Sequence, residues 1–372
     1  MRFLIISDAP TLKKDNKQFS YAPYVNEMNL WTKYFDEVVI VSPTKYKKKL
    51  LVESFKSDLK VISIPAVSLV SFFQICKSLL VLPYLFLIIF INMMKADHIH
   101  LRNPGSIGLI SCFVQIFFPF KTKTSKYAGN WDPNSKQPLS YRIQKWILSN
   151  TILTKKCKVL VYGEWKNQTK NIVSFFTASY KKNEIEIVNR KDFNANINFI
   201  FVGTFSKGKQ PLLSVKVIEN LHLKGFNVKL NMYGEGDEYL KIKKYINKNN
   251  LNDVITLHGN KPKEIIKNAF KESHFLLFIS QSEGWPKVVA EAMFWRCLPI
   301  SSNVSCVNYM LDYSKRGSVL KSNVSENEVV KEVLQYLNNE DIYQKKVLEA
   351  LIWSQKYTLD KFELEIKNLL NN

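Results

Sequence analysis

The chain has 372 residues, more than one hydrophobic core usually supports, which predicts two domains of about 150–180 residues each. An apolar fraction of 46% is ordinary for a globular protein. The net charge of +21, from 53 basic against 32 acidic residues, predicts attraction to anions such as nucleotide phosphates, anionic lipid surfaces or nucleic acid, and fits equally a solubilising charge spread along a lysine-rich chain. Five cysteines, Cys76, Cys112, Cys157, Cys297 and Cys306, are scattered and odd in number, without CxxC or Cys/His ligand spacing. They suit a reducing cytosol and offer no zinc site. The start, MRFLIISDAP, is too short in its apolar part and lacks the cleavage site of a signal peptide; it reads as a first buried strand.

RFLIIS, EVVIVSP, KVISIP, DHIHLR, KTSKYAG and CKVLVYG are short, apolar, β-rich runs separated by helix-length segments. Such alternation predicts a parallel sheet covered on both faces, a Rossmann-like first half. No GxGxxG follows the first strand, so a dinucleotide cofactor has no fingerprint there. Val67 to Met94 is the most hydrophobic segment. Its uninterrupted part, Leu79 to Ile91, falls short of the roughly 20 residues of a membrane span and contains Pro83, so it predicts a buried or membrane-facing crossover helix. His98 and His100, two apart, share one strand face and read as a hydrogen-bonded pair. In KYAGNWDP, Gly129 and Asn130 permit a turn that exposes Trp131 and Asp132 at its tip, where Asp132 is a candidate for chemistry or for capping the next helix. Lys181 to Asn196 is polar without apolar period and reads as an interdomain linker.

The second half repeats the pattern with INFIFVG, FNVKLNMYG, VITLHG, SHFLLFIS, CLPISS and GSVLKS, followed by helices over Asn327–Leu337 and Ile342–Leu370. GTFSKGK matches GxxxxGK, yet Gln210 stands where a phosphate-loop NTPase needs Ser or Thr. What remains is a loop carrying Gly203, Lys207 and Lys209 ahead of a helix, suited to a diphosphate or simply to a βα turn with two solvated lysines. Gly234, and then His258, Gly259 and Asn260, end the next two strands in small loops. Three such loops at one sheet edge outline a nucleotide site.

The stretch from Phe275 to Arg296 reads strand, loop, helix, with Pro286 suited to the first helical position. Glu283 lies in the loop and Glu291 in the helix, where Lys287, Glu291 and Trp295 fall on one face by four-residue spacing. Alone this is an exposed Lys–Glu pair. Beside the Gly-bearing loops, the two carboxylates suit paired hydrogen bonds to vicinal hydroxyls, one set on a sugar ring and one on a ribose, while loop amides approach the phosphate.

FVGTFSKGK, NMYGEGDEYL, VITLHGN and SEGWPKVVAEAM, in that order over about 100 residues, resemble the donor domain of glycosyltransferase family 4, which has the GT-B fold. HLRNPGSIG, KYAGNWDP and VYGEW in the first half look like cell-surface polysaccharide glycosyltransferases. The resemblance implies an α/β protein of two Rossmann-like domains facing a cleft: an acceptor domain over 1–180, a linker over 181–196, a nucleotide-sugar donor domain over 197–350, and a final helix over 351–372 crossing back to the N-terminal domain. It implies a retaining, metal-independent hexosyltransferase without cofactor, the nucleotide sugar being a substrate, acting on a glycan or lipid-linked acceptor. Lys209 would bind the diphosphate, Glu283 the transferred sugar and Glu291 the ribose. Gly284 and Trp285 would supply backbone near sugar and phosphate, and His258 to Asn260 would lie by the base. Thr204 replaces the family's usual arginine, with Lys207 or a residue of the N-terminal domain as substitute; Pro286 offers no amide; Arg296 stands where glycine is common. A catalytic histidine is missing from the KYAGNWDP region, leaving Asp132 and Asn130. A hydrolase or epimerase on the same fold, or a non-catalytic nucleotide-sugar binder, stays open. The expected location is cytoplasmic, with peripheral contact to anionic membrane and no specific nucleic-acid partner.

Overall fold

Near-continuous apolar strands alternating with helices build two parallel sheets, and the chain divides into two compact units, Met1–Phe176 with Glu363–Asn372, and Thr177–Phe362. The structure, a computed structural model, describes residues 1–15, 17–45, 52–67 and 72–371, without the side chains of residues 72–77 and 79. The opening of the long apolar segment, residues 68–71, and the Cys76 side chain therefore lie outside the described residues.

In the first unit the strands are β1 (Arg2–Ile6), β2 (Leu12–Lys14), β3 (Lys17–Tyr21), β4 (Glu37–Ser42), β5 (Val52–Ser54), β6 (Lys60–Ser63), β7 (His98–Asn103), β8 (Thr122–Tyr127), β9 (Cys157–Tyr162) and β10 (Ile172–Phe175). The helices are α1 (Ala22–Trp31), α2 (Phe72–Lys95), α3 (Ser106–Val114) and α4 (Leu139–Ser149). Seven strands form one parallel sheet in the order β10-β9-β8-β7-β1-β4-β6, which contains all six runs expected from the sequence. The added edge strand β10 and a small antiparallel sheet, β2-β3-β5, were not expected. All four strands are short; β2, β3 and β5 are largely polar, and the four residues of β10, although mostly apolar, are too few to show a period.

Helix α2 is the crossover between β6 and β7. It turns Leu85, Ile89 and Met93 into the core beside Leu4, Ile6 and Leu101. None of the described helices is long and apolar enough to cross a membrane. The two β7 histidines share a face, as their spacing predicts: His98 Nε2 and His100 Nδ1 both meet Thr124 Oγ1, at 2.8 and 2.9 Å. Phe3 and Trp31 close over His100 with ring centroids at 5.8 and 4.8 Å.

The second unit holds β11 (Ile197–Val202), α5 (Pro211–Leu223), β12 (Val228–Tyr233), α6 (Tyr239–Lys248), β13 (Ile255–Gly259), α7 (Lys263–Glu272) and β14 (Phe275–Phe278). It continues with α8 (Lys287–Phe294), β15 (Leu298–Ser302), α9 (Val307–Met310), β16 (Ser318–Leu320), α10 (Glu326–Leu337), α11 (Glu340–Ser354) and α12 (Leu359–Asn371). Its parallel sheet runs β13-β12-β11-β14-β15-β16. Phe199 and Phe275, register partners on β11 and β14, stack at 5.2 Å in the core, where burying each ring is worth roughly 1.5–3 kcal/mol. The fold class is thus the one expected, two Rossmann-like α/β units, and α12 from Glu363 onward is compact with the first unit, where Lys33 Nζ meets Glu363 Oε1 at 2.7 Å.

Residues 181–196 pack along the second unit by charge. Glu184 pairs with Lys263 at 2.8 Å, Glu186 with both Lys267 and Lys271, and Arg190 with Glu340 at 3.0 Å. One correction concerns the C-terminal helical stretch: it is two helices, not one. Thr358 Oγ1 accepts from Lys361 N at 3.2 Å and starts α12 afresh, while Tyr357 packs on Trp353 at 4.5 Å in the break.

Burial lowers the pKa of both β7 imidazoles, His98 to about 4 and His100 well below 6.5. The unfolded chain binds these protons first, so stability contributed by the pair is complete above an unfolded pKa of about 6.5 and is lost as pH falls toward 4. The contribution of the histidines to thermal melts should therefore be constant from neutral pH upward and decline from about pH 6.5 to 5, above the carboxylate range. His98→Asn should have a shallower decline over that window, and an unchanged slope would count against the assignment.

Candidate active site

In a parallel sheet all strand C-termini lie at one edge. Here the chain runs outward from β11 to β12 to β13, then returns to the other side of β11 as β14, so the loops after β11 and β14 diverge and leave a crevice at the switch point. Lys209 from the first loop and Glu283 from the second meet there, Nζ to Oε1 at 2.7 Å, and Ser280 Oγ donates to the same carboxylate oxygen at 2.8 Å. The ammonium also lies 4.8 Å from the centroid of the Phe278 ring. The two side chains are 25% and 15% exposed, shielded from bulk water yet open to a ligand.

Local backbone chemistry delivers Lys209. A single 3-10 turn, Lys207–Lys209, precedes Gln210 in the left-handed conformation (φ 45°), and Pro211 then opens α5. The lysines thus lie one turn ahead of the helix rather than on its first turn. Gln281 N donates to Gly208 O at 2.8 Å and ties the two loops together. Thr204 and Lys207 are exposed, and Lys207 makes no ion pair with any described residue.

The neighbouring loops form a floor of main chain. Gly203 N donates to Tyr233 O at 3.0 Å and Gly234 N to Gly259 O at 2.9 Å. Gly234 has φ +134°, and a Cβ there would stand 1.9 Å from Gly203 O. His258 stacks on Tyr233 at 4.4 Å, with Nε2 2.8 Å from Asn231 Oδ1; Asn260 beside it is exposed. Burial, aided by Lys261, lowers the His258 pKa, so its imidazole is neutral at pH 7.

Pro286 caps α8 rather than occupying its first position, and accepts from Val289 N at 2.9 Å. Gly284 O is fixed from behind by Ser305 Oγ at 2.7 Å, and the Trp285 ring is buried against Tyr357 at 6.3 Å. Glu291 accepts a hydrogen bond from Ser179 Oγ, and with Lys287 it lines a small pocket closed by Thr177, Tyr180 and Tyr357. Trp295 does not join their face. It follows the helix end and is fully buried, with Lys267 and Lys271 each 5.0 Å from its ring. Arg296 takes the left-handed position (φ 58°) of the helix terminus that glycine suits, and Nη1 donates to Val188 O at 2.9 Å.

In the first unit Trp131 is buried, not exposed. Its ring packs edge-on to Tyr127 at 4.8 Å, and Nε1 donates to Gln168 Oε1 at 2.9 Å. Asp132 closes its own turn, Oδ1 accepting from Asn134 N at 2.8 Å, as Asn130 Oδ1 accepts from Asp132 N at 2.9 Å. More heavily shielded charges sit elsewhere at the strand C-termini of this sheet, and sequence reading missed them. Arg102 pairs with Glu27 at 2.8 Å over the Tyr24 ring. Lys126, fully buried, lies 4.2 and 4.6 Å from the rings of Tyr162 and Phe175. Asp8 accepts from Ile107 N and Gly108 N at 3.0 and 3.2 Å, capping α3. The one available signal was a charged residue at or just after the C-terminal end of three of the strands, Asp8 after β1, Arg102 in β7 and Lys126 in β8.

Two Rossmann-like units and a glycine-lined crevice at the second sheet's switch point define the GT-B class of fold. Residues 182–350, most of the second unit, match the family described as glycosyl transferases group 1. It is 32% identical over 247 residues to the capsular polysaccharide biosynthesis glycosyltransferase CapH of Staphylococcus aureus, covering 62% of this chain and 66% of that one. It is 26% identical over 183 residues to an uncharacterised glycosyltransferase of Methanocaldococcus jannaschii, covering 49% of each. The chain thus spans about half the length of the one relative and just under two thirds of the other. Among solved folds, that of Anabaena HepE in complex with UDP and glucose superposes with a TM-score of 0.67 at 11% identity, over 100% of this chain and 99% of that one.

The main-chain floor makes a stability test. Gly234→Ala would push Cβ into Gly203 O in a conformation L-residues avoid, and should cost at least about 2 kcal/mol. Gly208→Ala, with nothing within 4 Å of the added carbon, should melt within a degree or two of the parent. Equal melting of both variants would contradict the packing described.

Proposed function

We propose that this chain transfers a hexose-type sugar from a nucleotide-sugar donor to a glycan or lipid-linked acceptor in surface polysaccharide biosynthesis. The transfer retains anomeric configuration and uses no metal or cofactor. The protein works at the cytoplasmic side of a membrane, as a peripheral protein. The observation that carries this reading is the Lys209–Glu283 pair across the switch point, ringed by glycine-bearing loops. An ammonium and a carboxylate held together in a half-open crevice are ready to be parted by a ligand bearing phosphate at one end and sugar hydroxyls at the other. The description of CapH supports the pathway class, and the UDP and glucose held by the Anabaena protein make a uridine donor the first to test.

In this reading Lys209 exchanges its carboxylate for a diphosphate oxygen, freeing Glu283, still held by Ser280, for the hydroxyls of the transferred sugar. Glu291, oriented by Ser179, takes the vicinal ribose hydroxyls, and the neutral His258 with Gly259 and Asn260 borders the base. The bond from the anomeric carbon to the leaving phosphate oxygen breaks while the acceptor oxygen bonds on the same face. The acceptor proton passes to the departing diphosphate. Negative charge growing on that group is met by Lys209, by the nearby Lys207 and by the first amides of α8 after Gly284–Trp285, cations and dipoles fixed before the reaction begins. Asp132 has no part in this scheme, its carboxylate being engaged in its own turn.

UDP should raise the melting temperature of the full chain, because a ligand of the folded state alone stabilises it. Lys209→Ala should abolish that rise. Glu283→Ala should keep the rise and the fold yet lower sugar transfer by about 10²–10³-fold. Full activity in Glu283→Ala would overturn the assignment. Turnover of a nucleotide sugar at the same rate with and without acceptor would make the protein a hydrolase instead.

A further inference from the structure

The helices α2, α3 and α4 lie side by side on the first sheet, and their inward residues, such as Ile89, Val114 and Ile147, are fully buried. Their outward faces are apolar as well. On α2 the exposed stripe is Leu80, Tyr84, Leu87 and Met94, spaced four, three and seven residues apart along one side of the helix, and no charge lies between Lys77 and Lys95. The patch continues through Phe117, whose ring packs edge-on to Phe86 and Phe90 of α2 at 5.9 and 6.1 Å while remaining 62% exposed. On α4 the exposed Leu139 and Trp146 flank Arg142. These side chains are exposed rather than built into the core, and on α2 and Phe117 they adjoin one another instead of being scattered singly.

Charge gives this face a partner. From Phe72 to Gly163 the only acidic residues are Asp97 and Asp132, against twelve lysines and arginines. Both carboxylates are engaged, Asp97 with Arg2 N at 2.7 Å and Asp132 in its turn. At the margin of the patch Lys121 Nζ is held on the carbonyl oxygens of Met94 and Ala96, at 3.0 and 2.6 Å, next to Phe120, which is 83% exposed. Phe120 in turn edges a cavity of about 710 Å³ at the N-terminal ends of β7, β8 and β9. The cavity is lined by Lys123, Lys155, Lys156, Lys158 and Lys170, with no carboxylate. Lys123 turns inward onto Gln115 O and Phe118 O, whereas the other four make no ion pair with any described residue.

We propose that the outward face of α2, α3 and α4 docks on an anionic phospholipid bilayer, with the lysine-lined cavity taking a lipid phosphate headgroup. Apolar side chains enter the acyl boundary, Tyr84 and Trp146 lie at headgroup level, and the lysines are attracted to the anionic surface. This deepens the peripheral location proposed above and does not depend on the donor chemistry.

The test is sedimentation of the full chain with vesicles of phosphatidylcholine alone or mixed with phosphatidylglycerol, at low and high salt. The parent should sediment with the mixed vesicles and be released by salt. Lys155→Glu with Lys156→Glu should weaken this about tenfold or more. Leu87→Ser with Phe117→Ser should weaken it comparably, and all variants should keep the parent melting temperature and its response to UDP. A parent that ignores mixed vesicles, variants that bind as the parent does, or a dimer that Leu87→Ser disperses without any lipid binding would each overturn the proposal. A lost UDP response with lipid binding intact would instead refute the donor reading.

Discussion

The Lys209–Glu283 pair is possible only because the second sheet reverses its strand order between β11 and β14. Seventy-four residues separate the two groups in sequence, and adjacency of those two strands brings their loops together. The hydrogen bond from Gln281 to Gly208, the donation of Ser280 to Glu283 and the bracing of Gly284 by Ser305 all fix the same two loops. An ion pair at a half-shielded position adds little stability, because desolvation offsets much of the attraction. Its value is geometric: two opposite charges are held where a ligand of mixed polarity separates them.

Much of this was legible in the chain because it is local. Apolar runs of strand length, glycines at strand ends and the proline before α8 each announce themselves within a few residues, and four motifs in order pointed to the family. What the sequence could not show was set by contacts far away along the chain. Trp131 reads as a loop tip, yet Tyr127 and Gln168 draw it inside. Residues 355–358 carry no glycine or proline to mark a break, yet Thr358 starts a new helix there. The Arg102–Glu27 pair joins residues 75 apart, and nothing near either one signals the other.

The same distinction applies to α2. Its composition alone says that it is apolar on every side, a feature shared by fully buried helices and by those that meet lipid. Only the packing separates the inward Leu85, Ile89 and Met93 from the outward Leu80, Tyr84 and Leu87. The charge balance then distinguishes this surface from a misplaced core, since a stretch of ninety or so residues with two acidic against twelve basic residues is compositional information that no single helix contains.

The contact of Gly234 with the Gly203 carbonyl has a bearing on how such a protein can diversify. Where a crevice is floored by backbone pressed on backbone, exchanging side chains cannot reshape the floor, and drift there is purged as misfolding before it alters selectivity. Innovation in what the crevice accepts is channelled to its rim, to exposed positions such as Thr204, Lys207 and Asn260, where a substitution changes chemistry without touching the frame.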